Sequence, residues 1–439
     1  MNNSPKISQI KEIGSNYPTI PLKYGVERRM NKFDQVPDEL QRVSLDMIES
    51  WTGKVYNDNQ EGEASTGLVE FHPGDVLFSK LRPYLAKGFR AQNRGAASPE
   101  LLVLHPTEFT SRYLLYLLLS PDFVDRVDSS TYGAKMPRAS WDFIGDIRVP
   151  KPPIEIQKEI SRVLDLNIGH IDRITATCER SIKLLQERQN SYITSKVITG
   201  LNSNTEMTDS DVEWFDRLPS HWDRIRVKYL VQDIEQGWSP QCNDKPSHPE
   251  EWGVLKAGCV NGMSFDPNEN KQLPDKLDAK PELAIEKGDV LISRANTRDL
   301  VGSCALVKED PSKLLLCDKI YNLQLREDIV DPEYFVYAMN SDPSREQIEL
   351  EATGASQSMV NISQEFINNM WVPLPPKSEQ KGIAQIIAEE NEYTRNIERD
   401  MKNTAELLRE RRKALITKIV TGEIEIKNGK VNNREKIIT

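Results

Sequence analysis

Five cations, Lys80, Arg82, Lys87, Arg90 and Arg94, lie in a run of 24 residues between Asp75 and Glu100 that holds no acid. Tyr84 and Phe89 are interleaved with them. Ammonium and guanidinium groups neutralise phosphates, and an arginine also bridges a guanine edge with two hydrogen bonds, so the run suits a nucleic-acid surface. A second acid-free loop, residues 129–141, adds Lys135 and Arg138. In the second half of the chain the matching places hold Arg294, Asn296 and Arg298, then Gln357, Ser358 and Asn361. Asn and Gln suit adenine edges, so unlike residues at matching loops fit a reader of two different sequences. The same loops would equally serve as the plain solvated surface of an acidic protein.

Signatures of catalysis are missing from the sequence. No GxGxxG follows a strand pattern, no GxxxxGK[ST] occurs, and no [DNS]PP[YFW] tetrapeptide is present. The Pro-Pro pairs continue into Ile154 and Lys377, not into an aromatic that would stack a base. Asp275, Asp278 and Lys280 resemble a nuclease signature only superficially, because two strands can hardly present acids so close together. The cysteines (Cys178, Cys242, Cys259, Cys304, Cys317) form no CxxC pair and the histidines are scattered, so no metal site is expected. No catalytic residue is nominated, and a binding protein is the expected class. The net charge of −10 and the pI of about 5.3 exclude a simply basic DNA binder. Contact with DNA would need local patches, or partners that supply positive charge. The 439 residues suggest two to four domains. No apolar run approaches the roughly eighteen residues that cross a bilayer, and no apolar leader opens the chain, so a soluble cytoplasmic protein is expected.

The elements that must carry these loops occur twice. Residues 149–164 match residues 372–387 without a gap, with seven of sixteen positions identical, among them Pro152-Pro153 and Pro375-Pro376, then Gln157-Lys158 and Gln380-Lys381. Leu164, Ile171, Cys178, Leu185 and Tyr192 then recur every seven residues, as do Ile387, Thr394, Met401, Leu408 and Leu415. A seven-residue apolar period marks helices that supercoil against one another. Proline pairs before each stretch, and Gly200 and Gly422 after it, supply start and stop signals. A continuous helix over residues 154–199 would run about 65–70 Å. Gly169 and Gly382 are mild weaknesses, but the second stretch has no Pro or Gly from 383 to 421, which disfavours two unrelated amphipathic helices. The globular parts repeat more faintly. PGDVLFSKLRP at 73–83 resembles KGDVLISRANT at 287–297, RYLLYLLLS at 112–120 resembles EYFVYAMNS at 333–341, and Gly-led loops follow at Gly133 and Gly354. Short apolar runs at 74–79, 101–104, 254–257, 290–293 and 321–325 read as strands. Each half is therefore an α+β domain of about 150 residues, joined by a polar linker.

Together with DSDVEWFDRLPSHWDRIRVKYLV at 209–231, the paired helix starts and Thr-Gly helix ends resemble the DNA-specificity subunit of type I restriction–modification systems. The first half departs from that pattern: it lacks the Val212-Glu213-Trp214…His221-Trp222 lead-in and keeps only a faint Leu22-Lys23-Tyr24. The resemblance implies an α+β fold with two repeated target-recognition domains separated by two long antiparallel coiled-coil-like helices. It places the first recognition domain at 1–152, the first spacer helix at 153–200, a linker at 201–213, the second recognition domain at 214–374, the second helix at 375–422 and a tail at 423–439. It further implies a non-catalytic subunit that binds double-stranded DNA, each domain reading half of a split asymmetric site. Methyltransferase subunits would use S-adenosylmethionine to methylate adenine, and endonuclease subunits would use ATP and Mg, so this chain itself would hold no cofactor. One helical turn added near Gly169 and near Asn391 would alter the gap between half-sites. The competing classes are a helical scaffold that joins two proteins without touching DNA, and a nuclease whose site is not legible.

Overall fold

The computed structural model describes residues 13–56, 67–133, 136–202, 204–351, 353–356, 359–424, 426–427 and 430–431. The chain forms two compact units, one of residues 1–179 with 401–439, the other of residues 180–400. In the first, four antiparallel strands lie in the order Val26–Arg29, Leu101–Pro106, Val76–Ser79, Gly88–Arg90. In the second, Val231–Gln236, Ile320–Leu325, Val290–Ser293 and Cys304–Leu306 take the same order. Each unit adds a three-stranded sheet containing one parallel pair. The repeat seen faintly in the sequence is thus a repeat of topology.

The Gly-Asp-Val-Leu motif has a local physical cause. Gly74 (φ 91°) and Gly288 (φ 101°) take the left-handed turn. Asp75 and Asp289 each accept a hydrogen bond at 2.8 Å from the backbone N–H three residues earlier, which closes the turn before the strand. The strand then enters the core with Val76, Leu77 and Phe78, or Val290, Leu291 and Ile292, all fully buried.

The shared tyrosines and glutamines also do the same work twice. Tyr113 donates to the Pro150 carbonyl at 3.1 Å, and Tyr334 donates to that of Pro373 at 3.0 Å. Burial pushes both phenols well above their usual range. Gln157 accepts from the Thr110 N–H at 2.7 Å and donates to the Glu108 and Pro152 carbonyls. Gln380 accepts from the Asp331 N–H at 2.7 Å and donates to the Ile329 and Pro375 carbonyls. Each glutamine therefore ties the start of a long helix to a neighbouring cap. Replacing Gln380 by leucine is expected to cost about 2–4 kcal/mol, because three backbone groups lose their partner in a site where the side chain is 1 % exposed. Urea titration would measure it, and a loss below about 1 kcal/mol would contradict the assignment.

The first long helix spans Ile154–Thr199 and the second Lys377–Val420, 46 and 44 residues. Both run unbroken through Gly169 and Gly382 and stop at Gly200 (φ 73°) and Gly422 (φ 78°). The core of the first unit takes Ile160, Val163, Leu164 and Ile168 from the first helix and Ile416, Ile419 and Val420 from the second. The core of the second unit takes Ile193 and Val197 with Ile383, Ala384 and Ile387. Each such Ile, Val or Leu side chain contributes roughly 1.5–3 kcal/mol of burial. In the first unit Asp172 meets Arg412 at 3.2 Å and Glu179 meets Arg409. In the second unit Arg188 meets Glu390 at 2.9 Å, and Gln189 donates to Asn391 at 2.6 Å. Within the first unit numbers rise on one helix as they fall on the other, from Asp172/Arg412 to Glu179/Arg409, so the two pair antiparallel there. Asn391 is buried in the seam beside Thr394, and such a polar pair fixes register at some cost in stability.

The lead-in motif of the second unit is a clamp on its helix start. Val212, Phe215, Leu218 and Trp222 are buried, while Trp222 Nε1 and His221 Nε2 each lie 3.0 Å from Glu379 Oε2. Within the segment read as linker, Met207–Asp209 pairs with Arg217–Pro219. In the first unit Ser15 and Asn16 bind the helix end instead, at the Thr421 and Gly422 carbonyls. Among the described residues no helix is long and apolar enough to cross a membrane.

Candidate nucleic-acid interface

In the first unit the strand ending at Ser79 delivers the chain into the basic run. The buried Ser79 hydroxyl donates to the Leu81 carbonyl at 2.7 Å and turns the backbone. Leu81 then pairs antiparallel with Arg138. The Arg82 N–H donates to Pro137 at 2.8 Å and the Ala139 N–H to Lys80 at 2.9 Å. The two acid-free stretches are thereby stitched into one edge. Tyr84, Tyr132 and Met136 are exposed nearby in sequence.

The charge at this edge is unbalanced. Burial pushes the Lys80 ammonium down, Glu100 acts against that, and Arg28, Arg138 and Lys32 lower it further. Arg138 Nη2 lies 2.8 Å from Glu100 Oε1. Arg28 and Lys32 are the contributors that a search for acid-free runs missed, because they sit on and after a separate strand beginning Val26-Glu27. The consecutive Arg28-Arg29 just after Lys23-Tyr24 is the signal that would have found Arg28. Arg28 reaches over the Trp141 ring, 5.8 Å from its centroid, whereas Arg29 is spent on the fully buried Asp75 at 2.8 Å.

The other candidates of the first unit have separate fates. Lys87 donates to the Leu45 carbonyl at 2.6 Å. Arg94 is paired with Glu70 at 2.7 Å. Arg90 is exposed and stands opposite Val76, at the far end of the strand from Lys80. Lys135 lies outside the described residues.

The second unit builds the same edge from different side chains. Ala295 pairs with Asn361 and Asn296 with Val360, and the Ile362 N–H donates to Arg294 at 3.0 Å, the counterpart of Ala139 to Lys80. The Arg294 guanidinium donates to the Asp318 carbonyl at 3.1 Å and lies 5.7 Å from the centre of the Tyr321 ring. Asn296 Oδ1 accepts from the Thr297 N–H at 2.9 Å, and Arg298 reaches the Glu349 carbonyl at 3.3 Å. Asn361 is exposed, whereas Gln357 and Ser358 lie outside the described residues. Sheet register places Ile234 and Glu235 where the first unit has Arg28 and Arg29. Burial, then Asp233 and Asp289, push the Glu235 carboxyl upward. One edge is cationic at Lys80, Arg82, Arg138 and Arg28; its equivalent has Arg294, Asn296, Asn361 and Ile234 at those places.

Among the described residues no three His, Cys, Asp or Glu side chains come together to hold a metal. Lys280 of the nuclease-like triplet turns its ammonium onto the Trp238 ring at 4.7 Å.

The family model described as type I restriction modification DNA specificity domain matches residues 242–407. The EcoEI specificity subunit of Escherichia coli is 33% identical over 409 residues, covering 74% of this chain and 69% of that relative. The MjaVIII specificity subunit of Methanocaldococcus jannaschii is 22% identical over 327 residues, covering 72% and 71%. A chain solved in work on complex assembly and conformational transition of the type I R-M system superposes with a TM-score of 0.64 at 18% identity, over 93% of this chain and 98% of the other.

Proposed function

Because the chain belongs to the type I restriction enzyme specificity subunits, we propose that each of its units reads one half of a bipartite, asymmetric DNA sequence. The observation that carries the reading is the pair of topologically equivalent edges, Leu81/Arg138 and Ala295/Asn361, with unlike chemistry at matched positions. Phosphate contacts from Lys80, Arg138, Arg28 and Lys32 would position the first unit, while base edges supply sequence. Arg94 and Lys87 are committed to protein acceptors and contribute less. The chain acts as a non-catalytic subunit. Its methyltransferase partners bring S-adenosylmethionine and methylate adenine, and its endonuclease partners bring ATP and Mg. The net charge of −10 fits a chain whose partners supply much of the phosphate clamp. Work on DNA places it in the cytoplasm. A scaffold that never touches DNA has no observation in its favour.

Methylome sequencing of a host carrying this chain with its methyltransferase tests the reading: a two-part motif with a fixed gap is expected, and no such motif refutes it. The long helices make a further, stronger prediction. Gly169 and Asn391 are poor places to lengthen them, since Gly169 lies three residues before Asp172 on the level of Arg412, whereas Asn391 sits beside Gln189. Insertion there would slide Glu179 away from Arg409. Four residues inserted between 179 and 188 of the first helix, and four between 394 and 409 of the second, keep the cross-helix pairs on both sides. They add about 6 Å, and with base pairs about 3.4 Å apart the gap should grow by one to two base pairs. Both half-sequences should stay the same, and an unchanged gap would remove the ruler.

A further inference from the structure

We propose that Arg82 reads a guanine in the half-site of the first unit, an inference that rests on the DNA-reading function above. Arg82 is exposed, and among the described residues its guanidinium has no hydrogen-bond or ion-pair partner. Its neighbours on the edge are engaged: Arg138 with Glu100, and Lys80 half-buried between strands.

The backbone beneath it is strained. Arg82 (φ 47°, ψ 59°) and Ala86 (φ 46°, ψ 47°) are both left-handed, on either side of the turn Pro83–Leu85. An L-residue pays there a steric cost between Cβ and the carbonyl oxygen that glycine would not. The surroundings hold the strain in place: Arg82 N–H to Pro137 at 2.8 Å, Leu85 N–H to Arg82 at 3.0 Å, Ala86 N–H to Pro83 at 2.8 Å, and Trp51 N–H to Ala86 at 3.1 Å. Over-determined strain of this kind collects at working sites. Here the strained backbone carries an exposed guanidinium, without a partner among the described residues, on a cationic edge two residues before the exposed Tyr84. A planar fork of two donors matches guanine O6 and N7. At the matching place the second unit has Asn296, whose side-chain oxygen is spent on its own loop, so the two units differ where a base would be read.

The test uses the full chain with its methyltransferase partner, comparing wild type, Arg82→Lys, Arg82→Gly and Arg90→Ala by methylome sequencing and by DNA binding across a salt series. The expected result is that Arg82→Lys relaxes one guanine position in one half-site by roughly 10- to 100-fold and leaves all other positions unchanged. Arg82→Gly should relax the same position, keep the wild-type salt slope, and unfold no earlier than wild type. Arg90→Ala should leave that guanine required. A uniform loss across all sequences with a salt slope reduced by about one makes Arg82 a phosphate contact and overturns the inference. An unchanged motif in both Arg82 variants overturns it too, as does relaxation of the same position by Arg90→Ala. Those outcomes leave the bipartite reading standing, whereas a wild-type complex with no two-part motif overturns both.

Discussion

Exchanging residues 1–150 for the matching domain of another specificity subunit is expected to replace one half of the recognised sequence and leave the other half and the gap unchanged. The whole of the first four-stranded sheet, the basic loop after Ser79 and the loop carrying Arg138 lie inside that stretch. Beside side-chain pairs such as Arg112 with Asp165, some of its attachments to the helices use main-chain groups of the exchanged stretch. Gln157 holds the Thr110 N–H, and Arg412 holds the Trp51 and Thr52 carbonyls. Main-chain groups survive a change of sequence, so a different domain of the same topology can dock on the same helix ends. Methylome sequencing of the chimaera checks this. If both halves of the motif change, the units are not independent readers.

A large stability effect should also come from Arg412. Its side chain is 7% exposed, pairs with Asp172 at 3.2 Å and donates to two backbone carbonyls of the 51–52 turn. Removing one partner of a buried ion pair typically costs about 3–5 kcal/mol. Asp172 keeps some relief here, being 23% exposed and within 3.3 Å of Lys54, so about 3 kcal/mol is expected for Arg412→Ala. Arg412→Lys should rescue little of it, because an ammonium lacks the planar fork that reaches an acid and two carbonyls at once. By contrast, Arg188→Ala breaks an exposed pair with Glu390 and should cost well under about 1 kcal/mol. Chemical denaturation followed by tryptophan fluorescence would compare them, since Lys413 sits 3.9 Å above the Trp51 ring and the turn's opening would be seen directly. Equal losses for Arg412→Ala and Arg188→Ala would discard the distinction between a buried clamp and a surface pair.

Both predictions depend on features that differ in how they are encoded. The duplicated helices, their starts and their stops were legible in the chain, because heptad spacing, proline pairs and terminal glycines act through local backbone geometry and need no distant partner. Identical residues in the two copies, such as Gln157 and Gln380, marked positions that make the same bonds. The family resemblance was legible for the same reason: it rests on those helix starts and ends and on a lead-in whose Trp222 and His221 clamp Glu379. The candidate interface was only half legible. An acid-free run announces surplus charge, yet charge counting along the chain does not say which cations are already spent.

Sequence alone therefore determined the repeat, the paired helices and the two basic or amide-rich loops of each half, since each is a pattern over neighbouring residues. Tertiary structure decided which loops meet. Pairing of Leu81 with Arg138 joins segments more than fifty residues apart, the sheet brings Arg28 and Lys32 toward the same edge, and Lys87 and Arg94 turn to protein acceptors. Coulomb energy depends on distance through space, and only the folded sheet sets those distances.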